Sequence, residues 1–260
     1  MRFCEPLAQQ GAQIIFETPK PLASFFAQCP SIIQIVSDGD PLPACDYWIP
    51  MMSIPAALKF DINQSASNSA YLRADAGQSR CWKQRLGSKT KPRIGLAWSG
   101  NREHPNDHWR SIKLERLLSY LNPDYAWISL HVAYRSEDQE LFSSSVIEDY
   151  STHLKNFSDT AALIDQLDLV VSVDTSVAHL SAAMGKPTWV LVALAADWRW
   201  GRVGESTLWY PSLRLFRQEQ FMDWRSCLQK LSAALELQFP KNSISIDERS
   251  RMRASGNCAT

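Results

Sequence analysis

The sequence predicts an α/β protein made of two halves, each a parallel sheet flanked by helices, facing one another across a cleft. Three observations predict it. Short β-branched runs alternate with amphipathic stretches, the pattern of βαβ units. The alternation fades once, near residues 61–91, and then resumes. The chain of 260 residues, 45% hydrophobic and 21% charged, is long enough for two domains of ordinary globular composition.

The elements follow in order. Residues 13–17 (QIIFE) form a β-branched run after Gly11 and read as a strand. Residues 21–28 (PLASFFAQ) carry Pro at a helix start and one apolar face. Residues 32–36 (IIQIV) read as a second strand, closed by the turn cluster Ser37-Asp38-Gly39-Asp40-Pro41, and residues 46–49 as a third. Residues 61–91 are rich in Asn, Ser, Ala, Gly and Lys, with a short helix predicted at 80–86. The predicted organisation is therefore a first domain at 1–75, a linker at 76–92, a second domain at 93–240 and a disordered polar tail at 241–260.

The second domain opens on the strand RIGLAW (93–98), which enters the polar loop 99–111. A helix at 112–121 and a strand at 126–130 follow, and Ser158-Asp159 reads as the cap of a helix at 160–167. Residues 168–173 (DLVVSV) are a buried strand, and 176–184 a helix stopped by Gly185 and Pro187. Strands at 188–194 and 213–216 and a helix at 224–239 close the domain. Both halves read as Rossmann-like.

Composition excludes several classes. Lys plus Arg and Asp plus Glu are 27 each, so the chain lacks the basic excess of a phosphate-backbone binder, and no nucleic-acid partner is expected. No run approaches the roughly 20 apolar residues of a membrane span, and the start MRFCEPLAQQ has no signal-like apolar core. The six cysteines form no CxxC pair, as expected of free thiols in a cytoplasmic protein. GxGxxG, GxxxxGK[ST] and GxSxG are all missing, which removes dinucleotide redox, P-loop and hydrolase-elbow readings.

Ligands of open parallel sheets sit beyond the carboxyl ends of the strands, so chemistry is expected in the loops there. The first candidate is Asp174-Thr175-Ser176-Val177-Ala178-His179, a strand end turning directly into a helix. Free N–H groups and the positive dipole end make such a turn a phosphate site that needs no metal. Thr175 and Ser176 add hydroxyls, and His179 lies one helical turn inside. The plain alternative is that Asp174 or Thr175 caps the helix and His179 is a satisfied core histidine. The second candidate is Ser99-Gly100-Asn101 with His104, Asn106, Asp107, Arg110 and Ser111. Arg110 offers a donor fork for phosphate or carboxylate. His104 and His108 have the spacing of a metal pair, but Pro105 intervenes and no third ligand is evident, so no metal is expected. The third is aromatic: Trp198, Arg199 and Trp200, then Trp209, Tyr210, Phe216 and Arg217. These would stack on a sugar or base, or merely cover the sheet.

These motifs together resemble a known family. The matching residues are GLAWSGN (95–101), Asn106-Asp107, Arg110-Ser111-Ile112, DTAALI (159–164), LDLV (167–170), DTSVAHL (174–180), GKP (185–187), DWRW (197–200), WYP (209–211) and RLFRQ (214–218). Residues 93–224 resemble the C-terminal domain of GT-B glycosyltransferases, nearest to the heptosyltransferase-like domains that accompany tetratricopeptide repeats in bacterial proteins. Residues 3–75 look like the family's N-terminal domain. The resemblance implies a GT-B-like α/β fold, two Rossmann-like domains facing a cleft. It implies a nucleotide-diphosphate sugar as donor substrate and no other cofactor. The diphosphate would lie on the Asp174–His179 turn, neutralised by Arg110, with Asn101 and Asp107 at the mouth. The acceptor would be a hydroxyl on a glycan or protein, attacked with inversion and without a metal, the base coming from the first domain.

The chain departs from the pattern at its start. Family members open with a strand and a Gly-Leu-Gly-Asp type loop bearing the base, before the segment matching Phe3. The expectation is an incomplete, truncated N-terminal domain with its catalytic residue unknown. The alternative is a catalytically inactive remnant or a nucleotide-sugar-binding module.

Overall fold

The structure is a computed structural model that describes residues 1–61 and 70–240. The tail expected at 241–260 lies outside the described residues. The first lobe holds α1 (Cys4–Gln9), β1 (Ile14–Thr18), α2 (Lys20–Phe26), β2 (Ile32–Ser37) and the one-turn α3 (Ile54–Ala57). Strands β1 and β2 pair in parallel. Residues 46–49 form no strand, contrary to expectation. Pro41, Pro43 and Pro50 surround them, and proline denies a strand its ladder N–H groups.

Helix α4 (Ala76–Leu86) occupies most of the segment expected as a linker. Asp75 caps it by accepting from the Gln78 N–H at 2.8 Å. Trp82 is its buried contact, and α4 packs on α8 (Phe157–Asp165).

The second lobe runs β3 (Arg93–Ala97), α5 (Asp107–Arg110), α6 (Leu114–Leu118), β4 (Ala126–Ser129), α7 (Ser136–Ser143), β5 (Ile147–Glu148), α8, β6 (Leu169–Val173), α9 (Ser176–Ala183), β7 (Thr188–Val192), β8 (Leu213–Arg217) and α10 (Arg225–Gln238). Its six strands are all parallel, in the order β5-β4-β3-β6-β7-β8. Counted within the lobe this is 3-2-1-4-5-6, the doubly wound order, and it reverses between β3 and β6. Side chains alternate across the sheet. Ile94, Leu96 and Trp98 join α6 and α10 in one core, with Val171, Val173 and Leu191. Ala97, Val170, Val190 and Val192 join α8 and α9 in the other, together with Phe25, Phe26 and Trp82 from beyond the second lobe. Burial of every residue on both faces explains why β6 and β7 are mostly apolar without alternation, with Ser172 and Thr188 the polar exceptions.

Helix ends differ from expectation for identifiable reasons. Asn156, not Ser158 or Asp159, caps α8, accepting from the Ser158 and Asp159 N–H groups at 2.8 and 3.2 Å. Asp159 returns to the Lys155 N–H at 3.0 Å, which completes a reciprocal cap. Helix α6 is shorter than expected, since Lys113 is extended and Ser119 ends the turn.

Besides the packing of Phe25 and Phe26 against α8 and α9, a backbone strap runs to the end of α9 from the segment that joins the lobes. The Tyr71 and Leu72 N–H groups both donate to the Ala183 carbonyl, at 3.0 and 3.2 Å. Gly185, at φ +74°, leaves room there, because a Cβ would come within 3.0 Å of the Ala70 methyl.

Candidate functional site

Loops after β3, β6 and β7 enclose a cavity of about 260 Å3 at the point where strand order reverses. Arg110, Asp174, His179, Trp109, Asp197 and Arg199 line it, along with His104, Asn106 and the small apolar residues Val192, Ala193, Ala195 and Ala196.

The loop after β3 is held by a buried polar knot. Asp107 is 6% exposed. Its carboxylate accepts from the Ser111 hydroxyl and from Arg135, both at 2.6 Å. Arg135 also reaches the Gly100 carbonyl at 3.2 Å and Ser111 Oγ at 3.1 Å, and Ser111 Oγ accepts the Gly100 N–H at 3.0 Å. Asp107 is therefore spent inside the loop. Asn101 is exposed and accepts the Glu103 N–H at 3.1 Å. Neither residue lines the cavity.

Arg110 is in a different position. It makes no ion pair among the described residues, and its Nε is buried without a partner. Its guanidinium lies across Gly100, where a Cβ would stand 2.8 Å from a terminal nitrogen. The knot thus carries a free cation to the cavity wall and holds it there.

Behind this loop sits the buried indole of Trp98, whose Nε1–H donates to Asp138 at 2.9 Å. The Trp98 backbone N–H donates to His131 Nε2 at 3.1 Å. That contact needs a neutral imidazole. Burial, then the charge of Arg135, pushes the His131 pKa down from its ordinary 6.5 to about 4. With a folded pKa below the unfolded one, His131 contributes stability fully above pH 6.5, lost as pH falls toward 4. Allowing for partial exposure, about 2 kcal/mol should be lost over that window. Urea unfolding of wild type beside His131→Gln measures it: the variant should show the smaller loss, and parallel curves would refute the assignment.

On the other side, Thr175 precedes α9 in extended conformation but does not cap it. Its hydroxyl turns back to Ser172 Oγ at 3.0 Å, and Ser172 donates to the Val173 carbonyl at 2.7 Å. The exposed Ser176 hydroxyl and the first N–H groups of α9 are left facing outward. His179 lies in the same helix, with Nε2 3.9 Å from Asp174 and Nδ1 3.1 Å from the Tyr210 hydroxyl. Burial is the largest influence on it and holds its pKa below the ordinary value. Arg199 acts in the same sense, against Asp174 and Asp197.

The aromatic motif divides. Trp200 is fully buried and stacks on the His179 ring at 4.8 Å, so it supports the site from behind. Trp198 is 57% exposed, with the Arg199 guanidinium 4.5 Å from its ring centroid. Arg217 is committed to the carbonyls of Trp200, Gly201 and Gly204, and Gln218 to the Leu194 N–H at 3.1 Å. Both therefore shape the loops rather than meet a ligand. His104 accepts the Asn106 N–H at 3.2 Å and His108 lies against Trp109. Among the described residues no group of three or more His, Cys, Asp or Glu is arranged to hold a metal ion. Nor is any described helix long and apolar enough to cross a membrane.

Sequence reading alone did not single out Arg135, Trp109 or the part played by Tyr210. Arg135 is far from Asp107 in the chain. In the sequence Tyr210 reads only as one aromatic among several.

Comparison with known proteins bears on the fold and the family likeness. Residues 152–210 match the model of glycosyltransferase family 9 (heptosyltransferase), a stretch that holds β6, α9, β7, Trp200 and Tyr210. Protein FlbA of Caulobacter vibrioides is 25% identical over 201 residues, 73% of this chain and 33% of FlbA. The chain thus spans about a third of that relative's length. The solved structure of E. coli ADP-heptose lps heptosyltransferase II superposes with a TM-score of 0.55 at 14% identity, covering 91% of this chain and 93% of that one. The fold is therefore GT-B, and the chain is heptosyltransferase-like.

Proposed function

For this heptosyltransferase-like GT-B chain, we propose a glycosyltransferase-type activity. It binds a nucleotide-diphosphate sugar and passes the sugar to a hydroxyl on a glycan or protein, with inversion and without a metal. The observation that carries the reading is a cavity lined by Arg110, which has no ion pair among the described residues, and by Asp174 and His179, which bracket the uncapped start of α9 in the chain. Each suits a diphosphate. The helix start offers N–H donors and the positive dipole end. Arg110 supplies a full charge in a planar fork, and Thr175, Ser176 and His179 add side-chain donors.

The chemistry follows from that placement. The acceptor oxygen attacks the sugar carbon from the side opposite the diphosphate. The bond to the leaving phosphate oxygen breaks as the new bond forms, and the hydroxyl proton passes to a base on the acceptor side. Fixed donors meet the charge that grows on the leaving diphosphate without reorganising, and that is where rate is gained. The free thiols Cys4, Cys29, Cys45, Cys81 and Cys227 fit a cytoplasmic setting.

One observation favours a second reading, a binding module without turnover. The two carboxylates lining the cavity both have neighbours: Asp197 pairs with Arg199 at 2.9 Å, and Asp174 faces His179. Neither is free to serve as the base. Titration calorimetry with ADP, UDP and GDP tests what both readings share. Binding should be seen for at least one nucleotide and lost in an Arg110→Ala, His179→Ala double variant. A folded chain that binds none would refute both. Mass spectrometry for a transfer product then separates them.

A further inference from the structure

The two ring nitrogens of His179 have different surroundings. Nδ1 meets the Tyr210 hydroxyl at 3.1 Å, whereas Nε2 faces the Asp174 carboxylate at 3.9 Å. Both Asp174 and His179 line the cavity. The ring lies almost parallel to Trp200, at 14°, which fixes its plane; a half-turn about the Cβ–Cγ bond keeps that plane but would put a ring carbon against the Tyr210 hydroxyl in place of Nδ1. Tyr210 is itself fixed. It is buried, Tyr71 interacts with its hydroxyl, and the Arg2 guanidinium lies 5.5 Å from its ring centroid. Asp174, Asp197, Arg199 and Tyr210 are the titratable or charged groups facing the imidazole.

We propose that Tyr210 is a positioning residue for His179: its O–H donates to Nδ1, which leaves the proton of the neutral ring on Nε2, presented to an anion in the cavity. The proposal rests on the donor-site reading above. A neutral imidazole has one N–H and one lone pair, so the partner of one nitrogen decides what the other offers. A phenol can donate or accept. The Asp174 carboxylate beside Nε2 breaks the tie, because a proton there is attracted and a lone pair repelled. The same choice suits a phosphate, which accepts from an N–H and repels a bare lone pair. Burial keeps the neutral ring as the resting form near neutral pH.

Nitrogen-15 NMR of histidine-labelled protein tests the bond directly, with the His179 signals assigned by their loss in His179→Ala. Wild type should show the Nε2–H tautomer, with Nδ1 shifted as a hydrogen-bonded acceptor. In Tyr210→Phe, which keeps the ring and its packing, that shift should vanish. Calorimetry with ADP, UDP and GDP tests the consequence. Tyr210→Phe should weaken binding about threefold to tenfold in the wild-type background. In the His179→Ala background it should change nothing, since its effect runs through that ring. An Nδ1–H tautomer in wild type, or equal losses in both backgrounds, would overturn the proposal. If wild type binds none of the three nucleotides, the donor-site reading fails, and the tautomer result alone still decides the Tyr210–His179 bond.

Discussion

An Asp107→Ala chain should lose about 3 kcal/mol of unfolding free energy, the lower end of what breaking a buried ion pair costs. Asp107 accepts from Arg135 and Ser111, both at 2.6 Å. Their side chains are not equally hidden, with 20% of the Arg135 side chain exposed against 8% for Asp107. Water can reach the arginine in part, which is why the lower end applies. Removing the carboxylate strands a guanidinium whose Nε already lacks a partner. It also frees the Ser111 hydroxyl that anchors the Gly100 N–H. Asp107→Asn keeps the shape and one acceptor oxygen, so about 1–2 kcal/mol should be lost. Urea unfolding distinguishes them. A loss under about 1 kcal/mol for the alanine variant would show that solvent replaces the pair and that the knot does not hold the loop.

Arg110→Ala should behave in the opposite way. Arg110 has no ionic partner to lose among the described residues, so unfolding free energy should stay within about 0.5 kcal/mol of wild type. Affinity for a nucleoside diphosphate should fall by about 1.5–3 kcal/mol, roughly tenfold to 150-fold, the range of a hydrogen bond to a charged group. Arg110→Lys should restore part of it, because the charge returns without the planar fork. The residual binding of the alanine variant should also depend less steeply on salt. Calorimetry in parallel with urea unfolding reads both quantities, and an unchanged affinity would remove Arg110 from the site. Three residues apart in sequence, Asp107 and Arg110 are thus expected to separate stability from binding.

That separation marks the limit of what the sequence showed. The β6–α9 turn was legible because a run of five buried residues ends abruptly in Asp-Thr-Ser and resumes as helix, and both signals are local. The loop after β3 was legible as a loop, but the roles within it were not. Asn101, Asp107 and Arg110 are all polar residues in one irregular stretch. Only Arg135, brought back by β4, decides that Asp107 is structural and Arg110 free. Helix α7 went unread for a related reason. Its few buried positions include Asp138, which serves the Trp98 indole, so the apolar period is masked by a carboxylate. Arg217 misled in the other direction. Beside aromatics it resembled a ligand contact, yet three backbone carbonyls occupy it.

The strap on Ala183 has a mechanical consequence. Helix α9 begins between the cavity-lining Asp174 and His179, while the carbonyl of its last residue, Ala183, accepts from the Tyr71 and Leu72 N–H groups of the segment that joins the lobes. The eight-residue helix is therefore a short strut loaded at both ends. On the proposed donor-site reading, any displacement of the first lobe would pull on the rod whose far end holds the anion, so lobe position and anion occupancy would bias each other by an equal free energy.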